Sequence, residues 1–195
     1  MKRRAVLVAA AALLAAGCDF HPASPFKGID ITGSDVRSSL QLADPQGRVR
    51  SMDDFRGKVV AVLFGYTHCP DVCPTSLADL GKAVRQLGKD ADRVQVVFIS
   101  VDPKRDTPQL LGEYVKAFNP SFLGLTGDRA ALERVTKDFK VYASVQESDD
   151  PAKYRVEHAG QVFVLDGQGR ARLMFPPGMS AADMGSDLRV LLDNA

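Results

Sequence analysis

Two runs of consecutive apolar residues occupy the centre of the chain. The first run is VVAVLF at residues 59–64, and the second is VQVVFI at residues 94–99. The two runs together contain one polar residue, Gln95. A strand with one solvated face alternates apolar and polar residues, whereas a strand buried on both faces does not. The two runs therefore predict two central strands of a sheet that is covered on both sides.

Four other segments place apolar residues at three- and four-residue steps, which predicts amphipathic helices. These segments span residues 75–88, 107–118, 129–139 and 180–192. The second begins with Thr107 as N-cap ahead of a proline, a common way for a helix to start. The last begins with Ser180 ahead of an aspartate three residues further on, which indicates a capping box.

Two further segments, residues 39–52 and 160–175, predict β-hairpins. In each of them an Asp and a Gly stand three residues apart between apolar stretches, as turn residues do. The order of elements is hairpin, strand, helix, strand, two helices, hairpin and helix. This order predicts an α/β sandwich in which helices flank a central mixed β-sheet and a β-hairpin precedes it.

The N-terminus has the features of a targeting segment. Three basic residues precede the apolar stretch Ala5–Ala16, which is short for a membrane span of about 20 residues but typical of a signal peptide. The following LAAGCD resembles a bacterial lipobox, in which Cys18 becomes the lipid-bearing first residue; ordinary cleavage nearby is the alternative. We predict a lipoprotein signal peptide over residues 1–17, a flexible tether over 18–38 and one folded domain over 39–195.

Charge argues against one class of partner. The formal net charge of +1 falls to −2 once Lys2, Arg3 and Arg4 are removed with the signal peptide. A nucleic-acid-binding domain carries a basic patch or stripe, and nothing in the composition of the remaining sequence suggests one. We therefore expect no nucleic-acid partner.

The segment GYTHCPDVCPTS, residues 65–76, joins the first central strand to the first helix. Sites in α/β proteins are commonly built at the sheet edge where strands end. Because Pro74 has no N–H, we predict that the regular helix begins there, with Cys73 near its N-cap. Cys69 and Cys73 then lie near the positive end of a helix, which favours thiolates.

The spacing of Cys69 and Cys73 permits two kinds of chemistry. A compact turn can bring residues four apart within disulfide distance, so the pair suits thiol–disulfide exchange. Two thiolates also suit Cu(I), a soft ion, which then needs a third ligand. His21 lies in the tether, His68 is expected to point away from the adjacent cysteine, and His158 stands just before a predicted strand.

Three other interpretations of the pair fit less well. A structural disulfide over so short a loop contributes only about 2 kcal/mol. Structural zinc generally takes four protein ligands, and the chain offers two cysteines and one well-placed histidine. A thiol peroxidase needs an isolated activated cysteine, whereas these cysteines are paired.

Three blocks of the chain resemble the Sco/SenC family of copper-binding, thioredoxin-like assembly factors. They are GYTHCPDVCPTSL, SVDPKRDTP from Ser100, and VEHAGQVFVLDGQGR, and the resemblance covers residues 41–192. It implies a thioredoxin-like fold with Cys69 and Cys73 as thiolate ligands and His158 as an imidazole ligand. Such a site would hold one copper per chain, as Cu(I) and also as Cu(II).

The family also tends to have acidic residues near the site. Asp71 and Asp102 match this pattern, although Asp102 is equally well explained as a turn residue before Pro103. Glu157 stands where the family usually has an Asp, and Ala159 replaces a hydroxyl residue. These departures concern the surroundings of the ligands and leave the ligand set unchanged, although changes of this kind alter affinity by about 10–100-fold.

The resemblance implies a membrane-anchored metallochaperone that loads copper into the CuA centre of cytochrome c oxidase. The alternative is a thiol–disulfide oxidoreductase whose catalytic Cys69 and Cys73 reduce the CuA-bearing subunit or another periplasmic copper carrier, with a thiol reductant as a further partner. Asp19 after the lipidated cysteine matches a signal for retention in the inner membrane. The expected location is the periplasmic face of the bacterial inner membrane.

Overall fold

A computed structural model describes residues 24–146 and 154–194. Its strands are β1 (Ile29–Asp30), β2 (Leu42–Ala43), β3 (Val49–Arg50), β4 (Val59–Gly65), β5 (Val94–Ser100), β6 (Leu123–Leu125), β7 (Ala143–Gln146), β8 (Arg155–His158), β9 (Val162–Leu165) and β10 (Ala171–Phe175). Its α-helices are α1 (Val72–Gln86), α2 (Pro108–Lys116), α3 (Arg129–Phe139) and α4 (Ala181–Asp193). Short 3₁₀ helices span Met52–Phe55 and Gly88–Arg93.

The main sheet has six strands in the order β1-β10-β9-β4-β5-β6. Strands β4, β5 and β6 are parallel, and β9 runs antiparallel to β4. Strands β2 and β3 form the predicted N-terminal hairpin, and β7 and β8 form a second two-stranded sheet. The mixed sheet confirms the prediction from the order of elements.

The sheet has a hydrophobic core on each face. Along β4, Val59, Ala61 and Leu63 face one core, and Val60 and Val62 face the other. Helices α1, α2 and α4 cover the first face, whereas α3 and the β2–β3 hairpin cover the second. Burial on both faces explains why the two central strands are apolar at consecutive positions.

The structure corrects two predicted boundaries. Helix α1 begins at Val72 rather than at Pro74, with Asp71 as its N-cap. Pro74 is tolerated there because the first N–H groups of a helix have no partner within it. The segment before the hairpin is also not a tether throughout residues 18–38, because β1 pairs with β10 and Asp187 accepts hydrogen bonds from the N–H groups of Lys27 and Gly28.

Strands β6, β7 and β8 were missed by the sequence prediction. Each has only three or four residues, too few to show a clear periodicity. Strand β8 matters most, because His158 is its last residue. Within the part of the chain that the structure describes, none of the helices combines the length and the hydropathy of a membrane span.

Candidate metal centre

One edge of the main sheet brings three chain segments together. The parallel strands β4 and β5 end there, and β9 starts there because Leu63, near the end of β4, pairs with Val162. The cysteine segment follows β4, the loop 101–107 follows β5, and His158 lies four residues before Val162. The fold therefore places the three sequence blocks that resemble Sco/SenC proteins side by side.

The cysteine segment folds as a tight turn into helix α1. The N–H of Cys69 donates to the carbonyl oxygen of Tyr66 at 3.1 Å, which closes the turn before the first cysteine. Cys73 lies in the first turn of α1 and is fully buried, whereas Cys69 is partly exposed. Both are free thiols in this structure.

Gly65 makes room for the buried sulfur. A Cβ at this position would lie 2.4 Å from the Sγ of Cys73 and 2.8 Å from the ring of Phe98. Real Cβ atoms do not approach other atoms so closely, so any side chain here would displace the sulfur. The glycine at the end of β4 thus fixes how deeply Cys73 can sit.

His158 reaches the cysteines from the β7–β8 hairpin. Its Nε2 lies 3.4 Å from the Sγ of Cys73. The two Sγ atoms and one ring nitrogen all lie within 4.8 Å of one another. The structure therefore brings together the three residues that were proposed as ligands from the sequence. Two of them, Cys73 and His158, are 85 positions apart in the chain.

The imidazole of His158 is poised to coordinate through Nε2. Its Nδ1 lies 3.4 Å from the carbonyl oxygen of Ala159. A carbonyl can only accept a hydrogen bond, so this contact favours a proton on Nδ1 and leaves the lone pair of Nε2 facing the sulfur. Burial lowers the pKa of His158, so the ring is neutral at neutral pH.

Cys73 does not have the thiolate character expected from the helix end. Burial, followed by the nearby sulfur of Cys69, raises the pKa of the Cys73 thiol well above its ordinary value. Desolvation of a charge outweighs the half-charge of a helix terminus here. A metal ion bound at this site must therefore displace the Cys73 proton, which couples its affinity to pH.

The donor set fits copper. Two sulfurs and one imidazole nitrogen match the preference of Cu(I) for soft ligands, and the imidazole also suits Cu(II). The group contains three potential ligands rather than the four of a structural zinc site. Cys69, Cys73 and His158 thus form a potential copper site.

The acidic residues predicted near the site occupy different environments. Asp71 is exposed at the N-cap of α1, and Glu157 is exposed on β8. Asp102 is buried, where its carboxylate accepts hydrogen bonds from Arg105 and from Tyr154. Of the three, only Asp102 is held in a fixed position beside the His158 strand.

Asp106 is a residue of the site that the sequence interpretation missed. Its buried carboxylate accepts hydrogen bonds from the N–H and hydroxyl of Thr67 and from the hydroxyl of Ser100, at 3.0, 2.6 and 2.6 Å. It therefore fastens the turn before Cys69 to the end of β5. The sequence did contain a signal for it, because Asp106 is the second aspartate of the SVDPKRDTP block that resembles Sco/SenC proteins.

Of the other two histidines, His68 is described by the structure and does not join the group. His68 is half exposed, 3.1 Å from the Thr67 hydroxyl and 3.9 Å from Asp106. It turns towards the loop after β5, as expected for a residue that points away from the cysteines. Both His21 and the proposed lipidation site Cys18 lie outside the described residues.

The fold and the site thus place this protein in the class of thioredoxin-like α/β proteins with a Cys–Cys–His metal centre. A family model described as SCO1/SenC matches residues 30–193. The SCO2-like protein of Rickettsia felis is 39% identical over 153 residues, covering 76% of this chain and 75% of that one.

Solved structures give the same result. ScoI of Bradyrhizobium japonicum with copper bound is 38% identical, with a TM-score of 0.73 over 79% of this chain and 98% of that one. Apo Sco1 of Thermus thermophilus is also 38% identical, with a TM-score of 0.73 over 85% and 92%. The chain belongs to the SCO1/SenC family, which confirms the resemblance and the fold predicted from the sequence.

A close contact at Gly160 gives a test of the site geometry. A Cβ at this position would lie 2.6 Å from the Cγ1 of Val72, the first residue of α1. Gly160→Ala should push the His158 segment away from the cysteines and lower copper affinity by about 10-fold or more. Val72→Ala removes the obstructing methyl group, so the double variant should regain most of the affinity measured by chelator competition. Failure of the double variant to recover would contradict this steric account.

Proposed function

We propose that this protein is a copper metallochaperone that carries one copper ion on Cys69, Cys73 and His158. The observation that carries this proposal is the convergence of two sulfurs and one imidazole nitrogen within 4.8 Å. The copper-bound structure of a 38% identical ScoI protein supports it. The final acceptor that we propose is the CuA centre of cytochrome c oxidase.

The exposure of the ligands suits transfer of an ion rather than permanent storage. Cys73 is buried, whereas Cys69 and His158 are partly exposed. An acceptor ligand can approach copper from the exposed side and replace these two ligands before the buried one. This order of exchange keeps the ion coordinated throughout its transfer.

We further propose that the protein works at the periplasmic face of the bacterial inner membrane. The basic residues and the apolar stretch before Cys18 support a lipoprotein signal peptide over residues 1–17. A lipid on Cys18 would anchor the chain and hold the copper site near a membrane-bound acceptor. Mass spectrometry of the mature N-terminus tests the lipid directly.

A second candidate function is thiol–disulfide exchange. Cys69 and Cys73 are free thiols that lie within 4.8 Å of each other, close enough to form a disulfide after a small movement. Cys69 would be the attacking thiol, because it is more exposed and burial raises the pKa of Cys73. In this role the pair would reduce the CuA-bearing subunit or another copper carrier, and a thiol reductant would regenerate it.

The two functions are separated by a transfer experiment. The Cu(I)-loaded protein is mixed anaerobically with the copper-free, fully reduced soluble domain of the CuA-bearing subunit, and the CuA absorption bands are recorded after one-electron oxidation of the acceptor with ferricyanide, because the fully reduced binuclear centre lacks them. A chaperone should produce these bands with stoichiometric loss of its copper. Absence of transfer from the reduced mixture would contradict the chaperone proposal.

The redox alternative has its own measurement. The copper-free, reduced protein is mixed with the oxidised acceptor, and the thiols of the acceptor are counted by alkylation and mass spectrometry. His158→Ala should leave this reaction intact, whereas Cys69→Ser should abolish it. Reduction that depends on the cysteines but not on His158 would favour the oxidoreductase.

A further inference from the structure

A buried polar cluster lies between the loop after β5 and the strand that carries His158. Asp102 and Arg105 form an ion pair at 2.6 Å, and their side chains are 2% and 14% exposed. The Nη1 of Arg105 donates to the carbonyl oxygen of Tyr154 at 3.0 Å. The hydroxyl of Tyr154 donates to Asp102 at 2.5 Å, so the three residues are linked in a closed ring of hydrogen bonds.

The guanidinium of Arg105 also stacks on two aromatic rings. Its Cζ lies 3.6 Å from the ring centroid of Tyr154 and 5.5 Å from that of Tyr66. Both distances are within the range of a cation–π interaction. A planar guanidinium can donate in its own plane to Asp102 while its faces contact the rings, which a lysine ammonium cannot do.

These two tyrosines hold the His158 strand at separate points. Tyr154 directly precedes β8, four residues before His158. Tyr66 contacts the end of the strand, where the centroid of its ring lies 5.6 Å from that of His158 in an edge-to-face arrangement. Arg105 therefore contacts one residue that adjoins the start of the strand and another that touches His158 at its end.

The strand depends on such contacts because it is not part of the main sheet. Among the strands that the structure describes, β8 pairs with β7 alone, in a separate two-stranded sheet. The main-chain hydrogen bonds of this small sheet fix β8 relative to β7 but not relative to the cysteines. Side-chain contacts, together with the short connection from His158 to β9, therefore set the distance between His158 and Cys73.

We propose that Arg105 is a positioning residue for the copper site. Together with Asp102 and Tyr154 it forms a latch that holds β8, and with it His158, over the two sulfurs. This inference rests on the proposed function in one respect, namely that His158 is a copper ligand. Arg105 itself touches neither sulfur and acts through the strand.

The test compares Arg105→Met with Arg93→Met. Arg93 is a matched control, because it also pairs with an aspartate three residues earlier and donates to a distant backbone carbonyl, that of Leu192. Copper affinity and the copper dissociation rate are measured by chelator competition. Hydrogen exchange of the amides of β8 is measured on the copper-free protein.

We expect Arg105→Met to weaken Cu(II) binding by about 10–100-fold, the usual effect of residues that orient a ligand. The β8 amides should exchange faster, while those of β4 and β5 stay protected. In a His158→Ala background, Arg105→Met should change the residual affinity by less than about twofold, because the residue acts through His158. Arg93→Met should change neither measurement.

Two further variants keep the test decisive if Arg105→Met does not fold. Arg105→Lys retains the charge beside Asp102 but lacks the planar stack, and Tyr154→Phe retains the ring but lacks the bond to Asp102. Both variants should increase the copper dissociation rate and the rate of hydrogen exchange of the β8 amides. Wild-type exchange and affinity in these variants would overturn the latch.

The two proposals fail in different ways. If wild-type protein does not bind copper tightly, or if His158→Ala binds it as well as wild type, the proposed ligand set is wrong. Faster exchange of β8 in copper-free Arg105→Met would still support the latch in that case. Normal copper binding by wild type with unaltered exchange and affinity in Arg105→Met would overturn the latch alone.

Discussion

His158→Ala is expected to lose tight Cu(II) binding while both thiols remain reactive. The substitution removes the proposed nitrogen ligand, whose Nε2 lies 3.4 Å from the Sγ of Cys73. Changes in residues that merely orient a ligand lower affinity by about 10–100-fold, so loss of the ligand itself should exceed about 100-fold. Cu(I) should be retained better than Cu(II), because the two soft sulfurs are still present.

The measurement is an anaerobic copper titration of the soluble domain with competing chelators, with separate series for Cu(I) and Cu(II). His68→Ala is the matched control, because His68 adjoins Cys69 but contacts Thr67 and faces Asp106 instead of the metal group. It should bind copper like wild type. A thiol titration with an alkylating reagent checks that both cysteines are still available.

The opposite outcome would be informative about the function. If His158→Ala binds Cu(II) as tightly as wild type, the imidazole is not a ligand. The cysteine pair would then be a dithiol without a complete metal site, and the oxidoreductase would become the better proposal.

The layers of the fold could be predicted from the sequence because burial leaves a direct pattern. Strands β4 and β5 are buried on both faces, which requires continuous apolar runs. The caps of α2 and α4 were also predicted correctly, since Thr107 accepts from the N–H of Leu110 and Ser180 from that of Asp183. Both features are local, and local features can be inferred from the sequence.

The position of His158 could not be derived from periodicity. Strand β8 has four residues and, within residues 24–146 and 154–194, pairs only with β7, so its place depends on side-chain contacts made by distant residues. The resemblance to Sco/SenC proteins identified the histidine, but not the latch around Arg105 that holds it. Such contacts join residues about 50 positions apart and leave no periodic trace in the sequence.

The state of the Cys73 thiol was mispredicted for a related reason. The helix end favours a thiolate and can be recognised from Pro74 and its neighbours. The depth of Cys73 depends instead on Gly65, which permits the close approach of the sulfur to β4 and Phe98. This tertiary burial raises the pKa of Cys73 and outweighs the local effect.

Asp106→Ala is expected to lower the free energy of unfolding by about 3 kcal/mol. The substitution removes the carboxylate that accepts three hydrogen bonds. The N–H and hydroxyl of Thr67 and the hydroxyl of Ser100 then lose their acceptor. Each buried polar group left unpaired costs about 1–3 kcal/mol, although the hydroxyls recover part of this by rotating. A loss of this size is a large share of the 5–15 kcal/mol that is typical of a domain.

Urea denaturation of wild type, Asp106→Ala, Asp106→Asn and Asp128→Ala measures the effect. Asp128 is the matched control, an N-cap of α3 that accepts from the N–H of Ala131 at 2.7 Å, and its loss should cost about 1 kcal/mol. Asn retains one oxygen acceptor, so Asp106→Asn should lose less than Asp106→Ala. Copper affinity should also fall less in Asp106→Asn than in Asp106→Ala, because Asp106 holds the turn before Cys69 against β5. A stability loss in Asp106→Ala no greater than that in Asp128→Ala would show that the turn is held by other contacts.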